Sequence, residues 1–124
     1  GICDVHGQQG YEVSKYLVEI LPKNVNNYIL KNEIKYLSFE PIDNLSKIFE
    51  NAFIKTNEEL INNKDIDTKL SGSTCVSILF SPRRTVCVNV GDSRCILGKN
   101  DGGIWLAENL SKIINHRIKR KKKE

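Results

Sequence analysis

In the first part of the chain the apolar residues follow a helical spacing. Val13, Tyr16, Leu17, Ile20 and Leu21 fall at i, i+3, i+4, i+7 and i+8, one stripe on one face. Residues 1–3 read as the end of a strand, and the polar, glycine-bearing run Asp4 to Gly10 turns from it into the helix. Pro22 has no backbone N–H and disfavours helix in the residue before it, so the pattern predicts a helix over 9–21 that stops there. Asparagines interrupt residues 23–42 and leave room for a short helix at most. Pro41 and Asp43 mark a new start, with Asp43 as N-cap. Leu45, Ile48, Phe49, Ala52, Phe53 and Leu60 then predict a second amphipathic helix over 43–63.

After a polar linker over 64–69 the period changes. Short apolar and β-branched runs predict strands near 73–80, 85–90, 94–98 and 103–107. Ser81 to Arg84 is the first turn, Gly91-Asp92 a bend, and Asn100-Asp101-Gly102-Gly103 a hairpin signal. If the first turn closes a four-residue hairpin, Phe80 opposes Thr85, Cys75 opposes Val90 and Ile78 opposes Cys87. Cys75 and Cys87 then point to opposite faces. The order predicts an α+β fold: two antiparallel helices packed on an antiparallel sheet, with their apolar stripes facing it.

Composition narrows the class. With 124 residues, 40% hydrophobic and 27% charged, the chain has the make-up of one globular domain and not of a disordered segment. No apolar run approaches the roughly 18 residues of a helical membrane span, so no membrane partner is expected. The net charge of +4 resides in the C-terminal end, since residues before Arg117 include 13 basic and 14 acidic side chains. We therefore expect a domain over 1–112 and a basic tail over 113–124. The tail reads as a solvated end or as a phosphate-binding or nuclear signal. No aromatic interleaves it, so no nucleic-acid partner is expected. None of the four cysteines forms a C-x-x-C pair, which predicts four buried, reduced thiols in an intracellular protein, cytoplasmic or nuclear. With Gly1 first and no methionine, the sequence reads as an incomplete chain.

Three stretches carry candidate chemistry. In Asp4-x-His6-Gly7, strand-like alternation sends Asp4 and His6 to one side. A carboxylate there suits a hard divalent metal, and a histidine beside it suits proton donation. The plain alternative is a capping Asp and a solvated His. The second stretch is Leu70-Ser71-Gly72-Ser73-Thr74, opening a strand. The third is Val88-Asn89-Val90-Gly91-Asp92-Ser93-Arg94, for which Asp92 and Arg94 also allow a purely structural role at a bend.

Taken together and in this order, the three stretches strongly resemble the metal-dependent protein serine/threonine phosphatases, the protein phosphatase 2C family. Ile2 to Gly7 is similar to the family's F-D-G-H-G turn, Val13 to Pro22 to its first long helix, Ser71 to Cys75 to its S-G-S-T-A strand opening, and residues 88–97 to its central hairpin. The resemblance implies part of an αββα sandwich in which two antiparallel sheets lie between pairs of helices. It implies hydrolysis of phosphoserine and phosphothreonine in a phosphorylated protein substrate, by metal-activated water at a two-metal centre holding Mg²⁺ or Mn²⁺. Carried over by position, Asp4 bridges both metals, Val5 offers its backbone carbonyl to one of them through water, and His6 is the general acid that protonates the leaving oxygen.

The departures matter as much. Val5 stands where the family turn has glycine, and a β-branched residue restricts the backbone there. The family's phosphate-gripping arginine and its Glu-Asp pair precede this motif, and its later metal-binding aspartates belong to a second half. The chain corresponds to about half a catalytic domain and is expected to be inactive alone. The alternative is a non-catalytic phosphatase-like module that binds a partner.

Overall fold

The computed structural model describes residues 1–111, so the basic tail expected over 113–124 lies outside the described residues. The elements are β1 (Val5–His6), α1 (Gly10–Lys31), α2 (Ile42–Ile61), β2 (Gly72–Ser73), β3 (Cys75–Ser81), β4 (Arg84–Val90), β5 (Ile96–Asp101) and β6 (Ile104–Asn109). All strand pairs are antiparallel: β1 with β2, β3 with β4, and β5 with β6. The α+β class and the order of elements follow the sequence pattern. No helix among the described residues is long and apolar enough to cross a membrane.

Helix α1 departs from expectation. It runs through Pro22 to Lys31 instead of ending at Leu21. Proline in a helix interior costs about 3 kcal/mol, because a hydrogen bond is lost and its ring crowds the preceding turn. Tertiary contacts on both sides offset that cost. Leu21 and Asn24 are both buried. Asn24 Nδ2 donates to Thr56 Oγ1 at 3.0 Å and to Glu59 Oε2 at 2.9 Å, both on α2. The buried face therefore continues past the proline in a polar residue, which an apolar pattern does not reveal.

Helix α2 begins one residue before Asp43. Pro41 occupies the N-cap position, and its carbonyl accepts from the Asn44 and Leu45 N–H groups at 3.1 and 3.2 Å. Asp43 lies in the first turn and makes no capping hydrogen bond; its charge there complements the positive helix end. The two helices pack on each other through Val13, Leu21, Leu45, Ile48, Phe49, Ala52 and Leu60, all buried. The α1–α2 connection is tied to the β3–β4 turn: the Arg83 guanidinium lies 5.0 Å from the centre of the Phe39 ring, and Arg84 donates to the Glu40 carbonyl.

The β3–β4 register places Phe80 opposite Thr85, Ile78 opposite Cys87 and Cys75 opposite Val90, as the four-residue hairpin requires. Residues 1–3 do continue a strand, for Ile2 and Val76 exchange both backbone hydrogen bonds, at 2.8 and 2.9 Å. The segment 2–6 thus runs antiparallel to 72–76, and β3 continues that ladder to β4. Helix α1 packs on β1 and β2. Between the helices and the strands lies a cavity of ≈ 570 Å³ whose walls include Val13, Leu17, Phe53, Leu60 and Cys75. The third expected strand is displaced, beginning at Ile96 instead of residue 94, and the β5–β6 hairpin is exposed along its whole length.

Candidate functional site

The site is built on the ladder formed by 2–6 and 72–76. Asp4 is held through its backbone at both ends. Its N–H donates to Thr74 Oγ1 at 3.1 Å, and its carbonyl accepts from the Thr74 N–H at 2.8 Å and from Ser73 Oγ at 3.1 Å. With the main chain fixed, the Asp4 side chain is left exposed. Val5 faces Ser73 and His6 faces Gly72 in the register, and both are exposed. The His6 ring rests on the bare backbone of Gly72, where a Cβ would come within 2.7 Å of Nε2. His6 also stands in the wall of the ≈ 570 Å³ cavity, beside Ser71 and Gly72.

The chain leaves this ladder through Gly7, which has φ +81°, a left-handed conformation that side chains resist. A Cβ at Gly7 would also sit 2.6 Å from the Ser71 Cα, so the turn packs tightly on the Ser-Gly-Ser-Thr stretch. Gln9 completes the junction. Its N–H donates to Ser71 Oγ at 3.0 Å, and its side-chain oxygen accepts from the Asp67 N–H. Helix α1 therefore starts at a point fixed by the strand opening.

The third motif reaches the site through Ser93. Its hydroxyl lies 2.6 Å from Thr74 Oγ1. Gly91, at φ +102°, approaches the same threonine so closely that a Cβ would meet Thr74 Cγ2 at 2.8 Å. Asn89 Nδ2 donates to the Gly91 carbonyl at 3.2 Å. Thr74 thus connects all three stretches: Asp4 on one side, Ser93 and Gly91 on the other. In the third stretch the charged residues Asp92 and Arg94 are both exposed, and Ser93 makes the contact. The signal for Thr74 and Ser93 was a hydroxyl within each motif, but periodicity does not separate such hydroxyls from ordinary turn residues.

The donor set fits a divalent metal only in part. Asp4 presents one carboxylate, whereas a hard cation takes about six oxygen ligands. Among the described residues no group of three or more His, Cys, Asp or Glu side chains is placed to hold a metal ion. Asp92 and Asp101 are not gathered with Asp4 into such a group. The described residues alone do not make a two-metal centre.

The four cysteines are free, and Cys75 is buried while the others are partly buried. Burial pushes the Cys3 thiol up to about 11, and the adjoining Cys75 thiol adds to this. Burial likewise pushes Cys87 up to about 11, with the Cys95 thiol beside it.

Comparisons with known proteins agree with this layout. The model of the family described as protein phosphatase 2C matches residues 1–121, reaching into the segment expected as a separate tail. The chain is 32% identical over 113 residues to "Probable protein phosphatase 2C 35" of Arabidopsis thaliana, covering 90% of this chain and 29% of that protein. It is 31% identical over 97 residues to "Protein phosphatase 1A" of Homo sapiens, covering 76% of this chain and 25% of that protein. The chain spans less than a third of the length of these curated relatives. No solved structure matches it. The matched family and the meeting of all three motif stretches at Thr74 agree: this chain belongs to the protein phosphatase 2C family.

Proposed function

We propose that the chain contributes one face of the active site of a metal-dependent protein serine/threonine phosphatase acting on phosphorylated proteins, over a partial catalytic domain at 1–112 with 113–124 as a basic tail. The observation that carries this reading is the double clamp on Asp4. Thr74 binds both its N–H and its carbonyl, so the carboxylate is presented from a fixed backbone. Such preorganisation is what a metal ligand or a phosphate-handling site requires. The four thiols and the absence of paired cysteine spacing support a cytoplasmic or nuclear protein.

Asp4 would supply a carboxylate to Mg²⁺ or Mn²⁺, and Val5 would supply its backbone carbonyl through a water. When bound, the metal centre activates water and offsets charge on the phosphoryl group. His6, with its ring seated on Gly72, gives a proton to the serine or threonine oxygen as it leaves. Because Asp4 is one carboxylate and no cluster accompanies it among the described residues, the chain by itself is expected to turn over no substrate.

The test uses a longer protein carrying this segment, assayed with Mn²⁺ on a phosphoserine peptide and on p-nitrophenyl phosphate. Asp4→Ala should abolish both activities. His6→Ala should slow the peptide by roughly 10²–10⁴-fold but leave the aryl substrate, whose good leaving group needs no proton, far less affected. Equal losses on both substrates would refute the general-acid role. Full activity in Asp4→Ala would refute the metal-ligand role, and no activity in the unaltered protein would favour the binding-module alternative.

A further inference from the structure

The ladder that holds Asp4 also brings two thiols face to face. Val5 pairs with Ser73 and Ile2 with Val76, so the same register sets Cys3 directly opposite Cys75. Ile2 and Val76 exchange both of their backbone hydrogen bonds, which makes the neighbouring Cys3/Cys75 position a non-hydrogen-bonded pair. Cα atoms facing each other at such a position are about 4.5 Å apart, at the near end of the disulfide window of about 4.4–6.8 Å. Cys75 is buried and Cys3 partly buried.

We propose that Cys3 and Cys75 form an oxidation site that closes into an intramolecular cross-strand disulfide under a peroxide oxidant. The step balances with hydrogen peroxide as the two-electron acceptor. One sulfur attacks a peroxide oxygen as its thiolate, a form that burial disfavours, so the step is slow; the O–O bond breaks, and a sulfenic acid and one water result. The second sulfur displaces the hydroxyl as a second water, so two S–H bonds are lost and one S–S bond forms.

The alternative couples are less well aligned. Cys75 and Cys87 lie on the same hairpin, but Cys75 faces Val90 and Cys87 faces Ile78, so they project from opposite faces. Cys95 contacts Cys87, yet it lies outside any strand, and no ladder sets the spacing of their backbones. The Cys3–Cys75 bond would lie beside the site. It joins residues already paired, and it adjoins Asp4 on one strand and Thr74 on the other, so oxidation would pin the clamp in place. This inference does not depend on the phosphatase reading.

The experiment treats the chain with hydrogen peroxide and maps its peptides without reduction, alongside Cys3→Ser and Cys87→Ser variants. The expected result is a linked Cys3–Cys75 peptide pair in the unaltered chain and in Cys87→Ser, reversed by dithiothreitol and missing from Cys3→Ser. The oxidised chain should also melt at least about 5 °C higher than the reduced one, because the bond constrains a long loop of the unfolded chain. Linkage confined to Cys87–Cys95, a Cys75–Cys87 bond, bonds between chains only, or sulfinic acid at Cys3 without a cross-link would each overturn the proposal.

Discussion

The two ends of the described chain contrast sharply. The 2–6/72–76 ladder is held by backbone hydrogen bonds, by Thr74, Ser73 and Ser71 side chains, and by helix α1 packed on it. The β5–β6 hairpin also has a regular register, from Ile96 opposite Asn109 to Asp101 opposite Ile104, but among the described residues none covers either of its faces. Trp105 there is 72% exposed. Both regions have antiparallel pairing, so pairing alone is not what makes a site. A two-stranded hairpin is marginally stable in water by itself. The ladder differs because the chain returns to it from α1, from the Ser-Gly-Ser-Thr stretch and from the Gly91 bend, each fixing another.

That contrast predicts unequal responses to mutation. The largest effect belongs to the core that supports the ladder. Leu45 is 1% exposed between the helices, so Leu45→Ala should destabilise the chain by about 2–5 kcal/mol in urea unfolding. A cost as small as that of an exposed-hairpin substitution would show that the helix pair is not the stable unit.

The next effect lies at the seam between the two regions, where Cys87 meets Cys95. Its ionisation in the folded state is delayed from 9.0 to about 11 by burial and by the neighbouring thiol. The neutral thiol is therefore the form the fold favours. Its contribution to stability is fully present below about pH 9 and is lost as pH rises towards about 11. At pH 8 the thiolate fraction should be on the order of 100-fold lower than in an unfolded chain, and iodoacetamide labelling of Cys87 correspondingly slow. Labelling at the unfolded-chain rate would contradict this environment.

A smaller loss is expected from Asn24→Ala. It leaves Thr56 and Glu59 without their shared partner, at a cost of about 1–3 kcal/mol. Asn24→Ala should also fray α1 beyond Pro22, read as lost amide protection over 23–31. The smallest effect should come from Trp105→Ser on the open hairpin, within about 0.5 kcal/mol in the same unfolding assay. A larger loss would mean that the hairpin is covered in solution, by another copy or by chain not described.

Much of this arrangement was legible in the sequence, for physical reasons that differ by element. The β3–β4 register followed from a turn of fixed length, because a period of two leaves no freedom once one pair is set. The Asp4-x-His6-Gly7 turn was visible because a strand, a glycine and an amphipathic stripe follow in close succession. The continuation of α1 was not visible. Pro22 is a strong local stop signal, and the residue that outweighs it, Asn24, acts through partners more than 30 positions away. The Asp43 cap failed for a related reason, since Pro41 supplied the carbonyl that the first turn needed. Thr74 and Ser93 were legible only as members of motifs. Their task depends on a 2.6 Å contact between segments that no local pattern connects. The facing of Cys3 and Cys75 was likewise hidden until β1 was seen to pair with β2.

Under the proposed function, a divalent metal meets this chain at the clamped ladder and not at the open hairpin. Amide resonances recorded during a Mn²⁺ titration test it most directly, because a paramagnetic ion broadens signals near its binding position. Broadening is expected first at residues 4–7 and 72–74, absent from β5–β6 and lost in Asp4→Asn. Broadening centred on Asp92, Asp101 or Glu108, or an unchanged pattern in Asp4→Asn, would contradict it.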